Sequence, residues 1–587
     1  MPLILQRLLH PHLAAGAPPP ASAPSSNAAS ATSRPLHPAW LVVFISVWLA
    51  TVCNVPLWRE VAQLPGQGSL RGWGFAMAFA LIVTAGNAAL LGLLAWRWTI
   101  KPAAALLVVM AAFGAYFMLA YGVAIDASML TNVLQTDVHE AGDLLNGRML
   151  ATVLALAAPP LWWLLRRPVQ QLSPLRQVAH NGLLLAGSVA VIVVCLLLVF
   201  QDFASTMRNH TKLRYLINPL NSVYALANIA TKPLRMDTHK LIPVGRDAQL
   251  GASYAGQAKP PLLVLVLGET GRSGNFGING YARDTTPLLA ARTDLVSARN
   301  AWSCGTSTAA SVPCMFSHLG RTGYEARAAN FESLIDVLHH AGLAVLWVDN
   351  QSGCKGVCDR IGETITSQQK DVAIDPALCP GGECLDRVML QDLDTRIAAL
   401  PAEQRQRGTV VVLHQMGSHG PAYYKRSAPD HKKFGPECTS TSLQECERQQ
   451  VVNAYDNSVV ETDFFLDSVL KWLAAQDRKA QTAMVYVADH GESLGENNLY
   501  LHGLPYSIAP DVQKHVPWIT WLSPSMQTRT HIATDCLQHD LAERRITHDN
   551  YFHSVLGLMD VKTGAYNPGL DMFAECRQVA GARKAAG

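Results

Sequence analysis

Long apolar stretches fill the first 200 residues of the chain, and polar residues are confined to short connections between them. Five of these stretches approach or exceed the roughly 20 residues that a helix needs to cross the hydrocarbon core of a membrane. Buried helices of a soluble protein are the alternative, but stretches so nearly free of charge favour membrane spans. We therefore predict five transmembrane helices within 39–200, covering approximately residues 40–58, 73–96, 103–125, 149–165 and 182–200.

Basic residues in the short connections predict the orientation of these helices. Arg97 and Lys101 lie between the second and third stretches, and three arginines lie between the fourth and fifth, namely Arg166, Arg167 and Arg176. Because short cytoplasmic loops carry an excess of Lys and Arg, both connections should face the cytoplasm. Five crossings then place everything after Phe200 on the outer side of the membrane.

The segments that flank the predicted spans differ from them in composition. Residues 11–36 are rich in Ala, Pro and Ser and have no apolar period, which predicts a disordered cytoplasmic tail over 1–38. A cleaved signal peptide is the alternative, but the apolar segment that begins at Trp40 is long enough to span. After the fifth span, a mixture of polar and apolar residues predicts an interfacial helical linker over 201–258.

After Pro260 the pattern changes to short apolar runs that alternate with helical periodicity. Buried strands are predicted at 262–269, 343–350, 408–415 and 482–489, and helices at 330–341, 385–400 and 448–475. This alternation predicts an α/β domain over 259–587, with a mainly parallel sheet and helices on both faces. In such sheets ligands bind beyond the carboxyl ends of the strands, so residues at those ends are candidates for chemistry.

The composition agrees with this division into two parts and reduces the number of possible functions. Apolar residues make up 49% of the chain and charged residues 16%, as in a protein that is part membrane and part globular. The formal net charge is only +3 and no basic run is present, so nucleic-acid binding is not expected.

Ten of the 12 cysteines lie in the outer half, where an oxidising compartment favours disulfides. Zinc-finger ligation is the alternative, but the spacings do not repeat as paired knuckles. Cys53 and Cys195 fall within spans and are interpreted as apolar fillers. The sequence predicts four local disulfides and a less certain fifth, in the pairs Cys304–Cys314, Cys354–Cys358, Cys379–Cys384, Cys438–Cys446 and Cys536–Cys576.

Four residues at predicted strand and helix ends could carry chemistry. Glu269 ends the first strand in LGETGR, and Asp489 and His490 end a later one in VADHGES, so groups that metals prefer reach the same edge of the sheet. Thr308 lies in CGTSTAASVPCMFS, a turn that opens a helix and could receive a phosphoryl group there. A plain helix N-cap is the alternative for Thr308.

The outer loop after the third span, IDASMLTNVLQTDVHEAGDLL, brings Asn132 and Glu140 close to the membrane face. A solvated loop is one interpretation of these polar groups. The other is a site for the head group of a lipid.

Several segments together resemble one enzyme family: GETGRSGNFGINGYARDTTP, CGTSTAASVPCMFS, NQSGCKGVCDR, LHQMGSHGPAYYKR and VADHGESLGENNLYLHGLPY. They resemble the phosphoethanolamine transferases that modify lipid A, which include the mobile colistin-resistance enzymes and belong to the alkaline phosphatase and sulfatase superfamily. The resemblance spans nearly the whole chain after the tail. It implies a multi-pass protein of the bacterial inner membrane, with its catalytic domain in the periplasm.

The resemblance also implies roles for individual residues. The zinc ligands would be Glu269, Thr308, Asp489 and His490, with Thr308 as the nucleophile that becomes covalently loaded with phosphoethanolamine. His419 and His502 would be catalytic histidines of the substrate site, able to hold a second zinc during turnover. Lys355 would lie near the phosphate, and Asn132 and Glu140 would bind the head group of the lipid donor.

The implied reaction moves phosphoethanolamine from phosphatidylethanolamine to a phosphate of lipid A, in a protein expected to be a monomer. One alternative is a related head-group transferase that uses glycerol phosphate or a lipopolysaccharide-core acceptor, and another is a phosphodiesterase whose acceptor is water. A sulfatase is disfavoured because the nucleophile turn lacks the C-x-P-x-R sequence needed for formylglycine. A non-catalytic membrane sensor or scaffold with a retained enzyme fold is the alternative outside enzymes.

Overall fold

The computed structural model describes residues 35–135, 138–361, 364–365, 374–379 and 383–578. The predicted disordered tail therefore lies outside the described residues, except for its last four positions. Within those, Leu36 donates and accepts backbone hydrogen bonds with Pro168 and Gln170, beside the connection between the fourth and fifth spans.

Five helical segments of the structure are long and apolar enough to cross a membrane, as the sequence predicted: Pro38–Ala62, Leu70–Leu93, Ile100–Tyr121, Gly147–Arg166 and Pro174–Leu198. The first is divided by a short turn into two helices. The helices of this half are α1 (Pro38–Thr51), α2 (Val55–Ala62), α3 (Leu70–Leu93), α4 (Ile100–Tyr121), α5 (Ala127–Gln135), α6 (Val138–Leu144), α7 (Gly147–Arg166) and α8 (Pro174–Leu198).

The linker contains four short helices that follow the fifth span, namely α9 (Phe200–Asn209), α10 (Lys212–Tyr215), α11 (Leu220–Ala230) and α12 (Lys232–Arg235). Helix α11 packs against α5, the first helix of the loop between the third and fourth spans. The outer loop and the linker therefore form one layer between the spans and the outer domain.

Fourteen strands follow in the described residues: β1 (Asp237–Ile242), β2 (Gln249–Leu250), β3 (Pro261–Gly268), β4 (Leu295–Trp302), β5 (Ala329–Phe331), β6 (Ala344–Asp349), β7 (Thr364–Ile365), β8 (Thr409–His414), β9 (Gln481–Ala488), β10 (Ser493–Glu496), β11 (Leu499–Leu501), β12 (His515–Leu522), β13 (Ile546–Thr547) and β14 (Val561–Lys562). Eight of them form the main sheet, in the order β13-β4-β12-β9-β3-β8-β6-β7. The α/β fold with a mainly parallel sheet is confirmed.

The helices of the outer domain are α13 (Pro287–Ala290), α14 (Thr308–Met315), α15 (Gly320–Glu325), α16 (Leu334–His340), α17 (Leu393–Ala399), α18 (Ala402–Arg407), α19 (Arg448–Gln476), α20 (Pro524–Thr530), α21 (Thr534–Asp540) and α22 (Asp549–Leu558). They correspond to the predicted helices most closely at α19. The segment predicted as one helix at 385–400 instead contains a 3₁₀ turn followed by α17.

Strand β12 is antiparallel to both of its neighbours, β9 and β4, and neither β12 nor β4 was predicted. The sequence of β4, LVSARNAW, explains why this strand was not predicted. Polar residues interrupt its apolar run, and several positions are only half-buried. These two strands extend the sheet on the side away from β8 and make it mixed.

The central strand β3 explains why a continuous apolar run was the correct signal for a strand. Leu263, Leu265 and Leu267 pack on one face of the sheet with α16 and α22, while Val264 and Val266 pack on the other with α19. Because successive side chains of a strand point to opposite faces, only a sheet covered on both faces needs apolar residues at every position.

Disulfides join the ten cysteines of the outer domain in the pairs Cys304–Cys314, Cys354–Cys358, Cys379–Cys384, Cys438–Cys446 and Cys536–Cys576. Cys53 and Cys195 are free and buried among the membrane helices.

Candidate active site

Two adjacent parallel strands deliver the acidic and imidazole groups of the site. In the β3–β9 pairing Gly268 lies opposite Ala488, so the residues that follow both strands start level with each other. Glu269 follows β3, and Asp489 and His490 follow β9. All three side chains are buried, and each offers a ligand atom within 4.8 Å of the others. The register of the sheet thus brings together the residues that were predicted from their positions at strand ends.

Thr308 completes this cluster from a third element. It is the first residue of α14, and its Oγ1 lies 3.0 Å from Glu269 Oε2 and 3.4 Å from His490 Nε2. Its side chain therefore turns toward the carboxylate and imidazole and does not cap its own helix, for which Ser307 holds the N-cap position. The structure brings together all four residues of the predicted zinc set.

The four residues suit a divalent metal ion. Asp489 Oδ1 accepts backbone hydrogen bonds from Thr270 and His490, whereas the buried Oδ2 has no hydrogen-bond partner and faces His490 Nε2 at 3.4 Å. The Nδ1 of His490 donates to the carbonyl of Gly491 at 2.9 Å, which leaves Nε2 directed at the cluster. Carboxylate oxygens, one oriented imidazole nitrogen and a hydroxyl form a donor set typical of zinc sites in enzymes.

Electrostatics agree with a site built to hold a cation. Burial opposes ionisation of Glu269, yet its hydrogen bond and attraction to His490 hold the pKa of that carboxyl below its usual range. Burial, and next to it the negative charge of Glu269, raises the pKa of Asp489 to about 6. Although burial disfavours the charged imidazole, the carboxylates of Asp489 and Glu269 raise the pKa of His490 to about 10. The two buried carboxylates therefore attract positive charge to the cluster.

His419 and His502 lie next to this cluster. The ring centroids of His502 and His490 are 4.2 Å apart, and those of His502 and His419 are 5.8 Å apart. His502 follows β11 and its Nδ1 lies 3.4 Å from Glu492 Oε2, so a carboxylate orients the ring. His419 lies in the loop after β8, where the backbone N–H of Ser418 donates to the carbonyl of Glu269 at 3.1 Å. Both histidines lie beside the cluster without belonging to the four-residue set.

The remaining predicted residues do not belong to the cluster and lie in or beside the outer-loop helices α5 and α6. Lys355 Nζ donates to the carbonyl and hydroxyl oxygens of Ser352, at 2.9 and 2.6 Å, and approaches the carbonyl of Gln135 at the end of α5. Asn132 lies half-buried on α5. Glu140 lies in α6, and its side chain is outside the described part of the structure.

The nucleophile turn is fixed by interactions that the sequence did not reveal. The backbone N–H of Gly305 donates to Ser311 Oγ at 2.9 Å, and the Cys304–Cys314 disulfide closes the same turn. The backbone N–H of Cys304 donates to His548 Nδ1 at 3.1 Å, so Nε2 carries the proton of this ring and donates to the carbonyl of Ala488 at 3.1 Å. Burial lowers the pKa of His548 to about 3, which keeps it neutral in this bridging role.

Sequence reasoning missed His548, Thr270 and Glu492. Thr270 donates from Oγ1 to Glu269 Oε1 at 2.6 Å and from its backbone to Asp489, so it connects the two strand ends. Glu492 could have been found, because it is the acidic residue two positions after the DH pair in VADHGES. Nothing in its local sequence distinguishes His548, which lies 244 positions from its partner Cys304.

Comparison with known proteins agrees with this geometry. The model of the phosphoethanolamine transferase family EptA/EptB matches residues 83–234, and the sulfatase model matches residues 261–561. Phosphoethanolamine transferase EptA of Escherichia coli strain K12 is 37% identical over 547 residues, covering 92% of this chain and 97% of that protein. The chain belongs to the EptA/EptB family of phosphoethanolamine transferases.

Two further relatives extend the likeness across both halves of the chain. The integral membrane lipooligosaccharide phosphoethanolamine transferase A (EptA) from Neisseria meningitidis superposes with a TM-score of 0.86 at 33% identity, covering 92% of this chain and 99% of that chain. Phosphatidylethanolamine transferase Mcr-1 of Escherichia coli is 35% identical over 540 residues, covering 90% of this chain and 96% of that protein. This phosphoethanolamine transferase is accordingly a multi-pass membrane enzyme whose outer domain has the sulfatase-like fold.

Proposed function

We propose that this transferase moves phosphoethanolamine from phosphatidylethanolamine to a phosphate of lipid A through a covalent intermediate on Thr308. The observation that carries the proposal is the position of Thr308 Oγ1, 3.0 Å from Glu269 Oε2 and 3.4 Å from His490 Nε2 in a buried cluster beside two further histidines. Because Ser307 holds the N-cap position of α14, the Thr308 hydroxyl does not serve as the helix cap. The similar protein from Neisseria meningitidis is a lipooligosaccharide phosphoethanolamine transferase, which supports the choice of acceptor.

In the first half-reaction, Thr308 Oγ attacks the phosphorus of phosphatidylethanolamine in line with the glycerol oxygen. The Oγ–P bond forms and the bond from phosphorus to the glycerol oxygen breaks. The proton leaves the Thr308 hydroxyl, and the departing diacylglycerol gains a proton at its oxygen. His502, whose ring lies beside His490, and His419, whose ring lies beside His502, are the groups that can exchange these protons.

In the second half-reaction, a phosphate oxygen of lipid A attacks the loaded phosphorus from the position that diacylglycerol left. The new O–P bond forms, the Oγ–P bond breaks, and Thr308 recovers a proton. The protein is thus unchanged after each cycle, and the two lipids use the same nucleophile in turn.

The residues that would hold zinc are Glu269, Thr308, Asp489 and His490, and His419 with His502 could hold a second ion during turnover. Bound zinc would supply Lewis acidity, lowering the pKa of a coordinated hydroxyl and stabilising negative charge on phosphoryl oxygens. The protein's own contribution is orientation: the backbone bonds to Asp489 Oδ1 and His490 Nδ1 fix which atoms face the centre.

The product would alter the outer surface of the cell. Attaching an ethanolamine ammonium group to an anionic phosphate lowers the net negative charge of the lipid, so cationic peptides such as polymyxin would bind less well. The catalytic domain would act in the periplasm from an anchor in the bacterial inner membrane, and the chain would work as a monomer. Membrane anchoring suits an enzyme whose two substrates are both lipids.

Mass spectrometry of the purified full-length protein tests the intermediate. Incubation with phosphatidylethanolamine alone should add one phosphoethanolamine group to Thr308, and later addition of lipid A should remove it and give a modified lipid of matching mass increase. An adduct on another residue, or full turnover by Thr308→Ala, would refute the assigned nucleophile. Continued release of diacylglycerol without any lipid A product would instead support the phosphodiesterase alternative, in which water is the acceptor.

A further inference from the structure

Two adjoining cavities lie between the linker, the outer-loop helix α5 and the catalytic domain. The first has a volume of about 330 Å³ and is lined by Lys355 and by Ala309 and Pro313 of the nucleophile helix α14. The second has a volume of about 490 Å³ and reaches α11 of the linker. Lys232 and Arg327 line both cavities and therefore stand at their junction.

The fold holds these two cations at one end of a small sheet. Lys232 lies in α12 just before β1, and Arg327 lies just before β5. The two strands are parallel, with Asp237 opposite Ala329, and the backbone N–H of Asp237 donates to the carbonyl of Ala328 at 2.9 Å. This pairing ties the linker to the catalytic domain where both side chains emerge, so their proximity does not depend on a flexible connection.

Nothing in the described chain neutralises the pair. Arg327 donates to the carbonyl of Tyr324 at 2.6 Å and lies over its ring, and neither Arg327 nor Lys232 forms an ion pair with a carboxylate among the described residues. Partial desolvation and the nearby charge of Arg327 both lower the pKa of Lys232. Holding two like charges together costs free energy, which an anion between them would offset.

The carboxylates that line these cavities form ion pairs with other residues or line only the first cavity. Glu332 is paired with Arg246 at 2.7 Å and with His340 at 2.8 Å, and Glu325 is paired with Arg321 at 3.0 Å. Asp359 lines only the first cavity, beside Arg360. The junction of the cavities is therefore the part with unbalanced positive charge.

Apolar groups next to the junction indicate that the anion belongs to a lipid. Leu234, two residues after Lys232, is 86% exposed, and Tyr224 and Leu226 of α11 are also exposed. These residues belong to the linker helices α11 and α12, which come after the fifth span, and their exposed side chains can contact acyl chains. A phosphate held by Lys232 and Arg327 would thus be a lipid phosphate whose tails remain in the bilayer.

We propose that Lys232 and Arg327 form the binding site for a phosphate monoester of the anionic acceptor lipid, and this inference rests on the function proposed above. A phosphate monoester carries a charge of about −1.5 to −2 at neutral pH, whereas the donor's phosphodiester is balanced by its own ammonium group. Two cations without a carboxylate therefore suit the acceptor better than the donor. The first cavity is also lined by Ala309 and Pro313 of α14, whose first residue is Thr308, so a phosphate bound there would lie beside the nucleophile helix.

The double variant Lys232→Gln/Arg327→Gln, in the full-length protein, separates the two half-reactions. Loading of Thr308 from phosphatidylethanolamine should stay within twofold of the wild-type rate. The KM for lipid A in the second half-reaction should rise at least about tenfold. Lys240→Gln, which removes an exposed positive charge on β1 that lines neither cavity, should change neither value. The charge-retaining variant Lys232→Arg/Arg327→Lys should recover most of the acceptor affinity.

An unchanged KM for lipid A in the glutamine variant would overturn the proposal, and so would an equal loss in loading, because Lys232 and Arg327 would then serve the donor. If wild-type protein neither loads nor transfers, the proposed function itself fails, which is a different result.

Binding to the Thr308→Ala protein gives a measurement without turnover. Bisphosphorylated lipid A should bind about tenfold more weakly to this protein when it also carries the Lys232→Gln and Arg327→Gln changes. Lipid A stripped of its phosphates should bind both proteins alike. Competition by inorganic phosphate at concentrations comparable to those of the lipid would show a site for free phosphate and contradict a lipid site.

Discussion

The buried cluster around Thr308 and the cavities beside Lys355 are neighbouring regions built in opposite ways. In the cluster, each side chain follows a strand or begins a helix and is nearly inaccessible to solvent, and backbone hydrogen bonds fix the orientation of Asp489 and His490. The cavity walls come from loops, α5 and the linker, and their cations are half-buried or exposed. Under the proposed function, the main sheet would fix the chemistry and the membrane-proximal layer would select and position the lipids.

If this division is correct, changes in the cluster should reduce kcat and changes in the cavity should raise KM. The largest effect is expected for Glu269→Gln, which keeps the shape of the side chain but removes the charge that faces Thr308 and His490. Loss of one partner from a buried set of charges costs several kcal/mol, so transfer should fall at least about 10³-fold. Turnover, together with zinc content from elemental analysis, measures this loss.

Glu403→Gln is the matched control, since this glutamate is exposed on α18. It should retain wild-type turnover and metal content. Chelation of the wild-type protein should reproduce the loss seen in Glu269→Gln, and added zinc should reverse it. Undiminished transfer by metal-free protein would contradict a metal-dependent cluster.

The second-largest effect is expected for His548, which connects the nucleophile turn to the strand that carries Asp489. His548→Phe removes both hydrogen bonds, and a displacement of Thr308 by about 1 Å can cost about 10²-fold in rate. We expect kcat to fall by that order while KM for either lipid stays nearly constant. Single-turnover loading of Thr308, followed by mass spectrometry, measures the step directly.

His553→Phe provides the comparison for His548, because His553 is also buried and its Nδ1 accepts a backbone hydrogen bond, from Asn567 at 3.1 Å. His553 lies on α22, and its hydrogen bond goes to the loop that carries Asn567 instead of to the nucleophile turn. Both variants should lower the melting temperature, but only His548→Phe should slow loading. Equal slowing in the two variants would assign His548 a general structural role.

The same division explains which elements and site residues could be predicted from the sequence. Strands β3, β6, β8 and β9 were predicted because strands buried on both faces are apolar throughout, and the spans because the bilayer demands long apolar helices. Residues that end those strands, such as Glu269 and Asp489, were therefore predictable by position. Strands β4 and β12 were not predicted: mixed burial in β4 breaks the apolar run, whereas β12, HVPWITWL, is buried and largely apolar and carries the same signal as the predicted strands.

Residues whose role depends on distant partners were beyond sequence reasoning. His548 meets Cys304 only after the sheet has formed, and Lys232 meets Arg327 only because β1 pairs with β5. Lys355 was predicted near the phosphate through resemblance, and the structure adds that it lines the first cavity beside α5. Contacts between loops are set by tertiary packing, which leaves no period in the sequence.

The nucleophile turn offers a third, smaller test. The double variant Cys304→Ser/Cys314→Ser removes a bridge across a ten-residue separation and should destabilise the outer domain by about 2–3 kcal/mol. The hydrogen bonds of Gly305 and Cys304 remain, so kcat should fall only about tenfold, less than with His548→Phe. Thermal unfolding and loading kinetics measure the two effects.

Its control is Cys536→Ser/Cys576→Ser, which opens a bridge of sequence separation 40 away from the site. That variant should lose stability with kcat unchanged when assayed below its melting temperature. A kcat loss of similar size in both would mean that overall stability, and not the local position of Thr308, governs the rate.

The smallest effect is expected for Lys355→Gln. Whether this variant changes KM or kcat matters more than the size of the change. Nζ of Lys355 is held by Ser352 at the cavity wall, so the charge is positioned for a lipid phosphate and not for the buried hydroxyl. Losing one charged hydrogen bond costs about 1 kcal/mol net, so the KM for phosphatidylethanolamine in Thr308 loading should rise about fivefold at constant kcat. A drop in kcat at constant KM would place Lys355 with the buried cluster and remove the distinction between the two regions, because a cavity residue would then act in the chemical step.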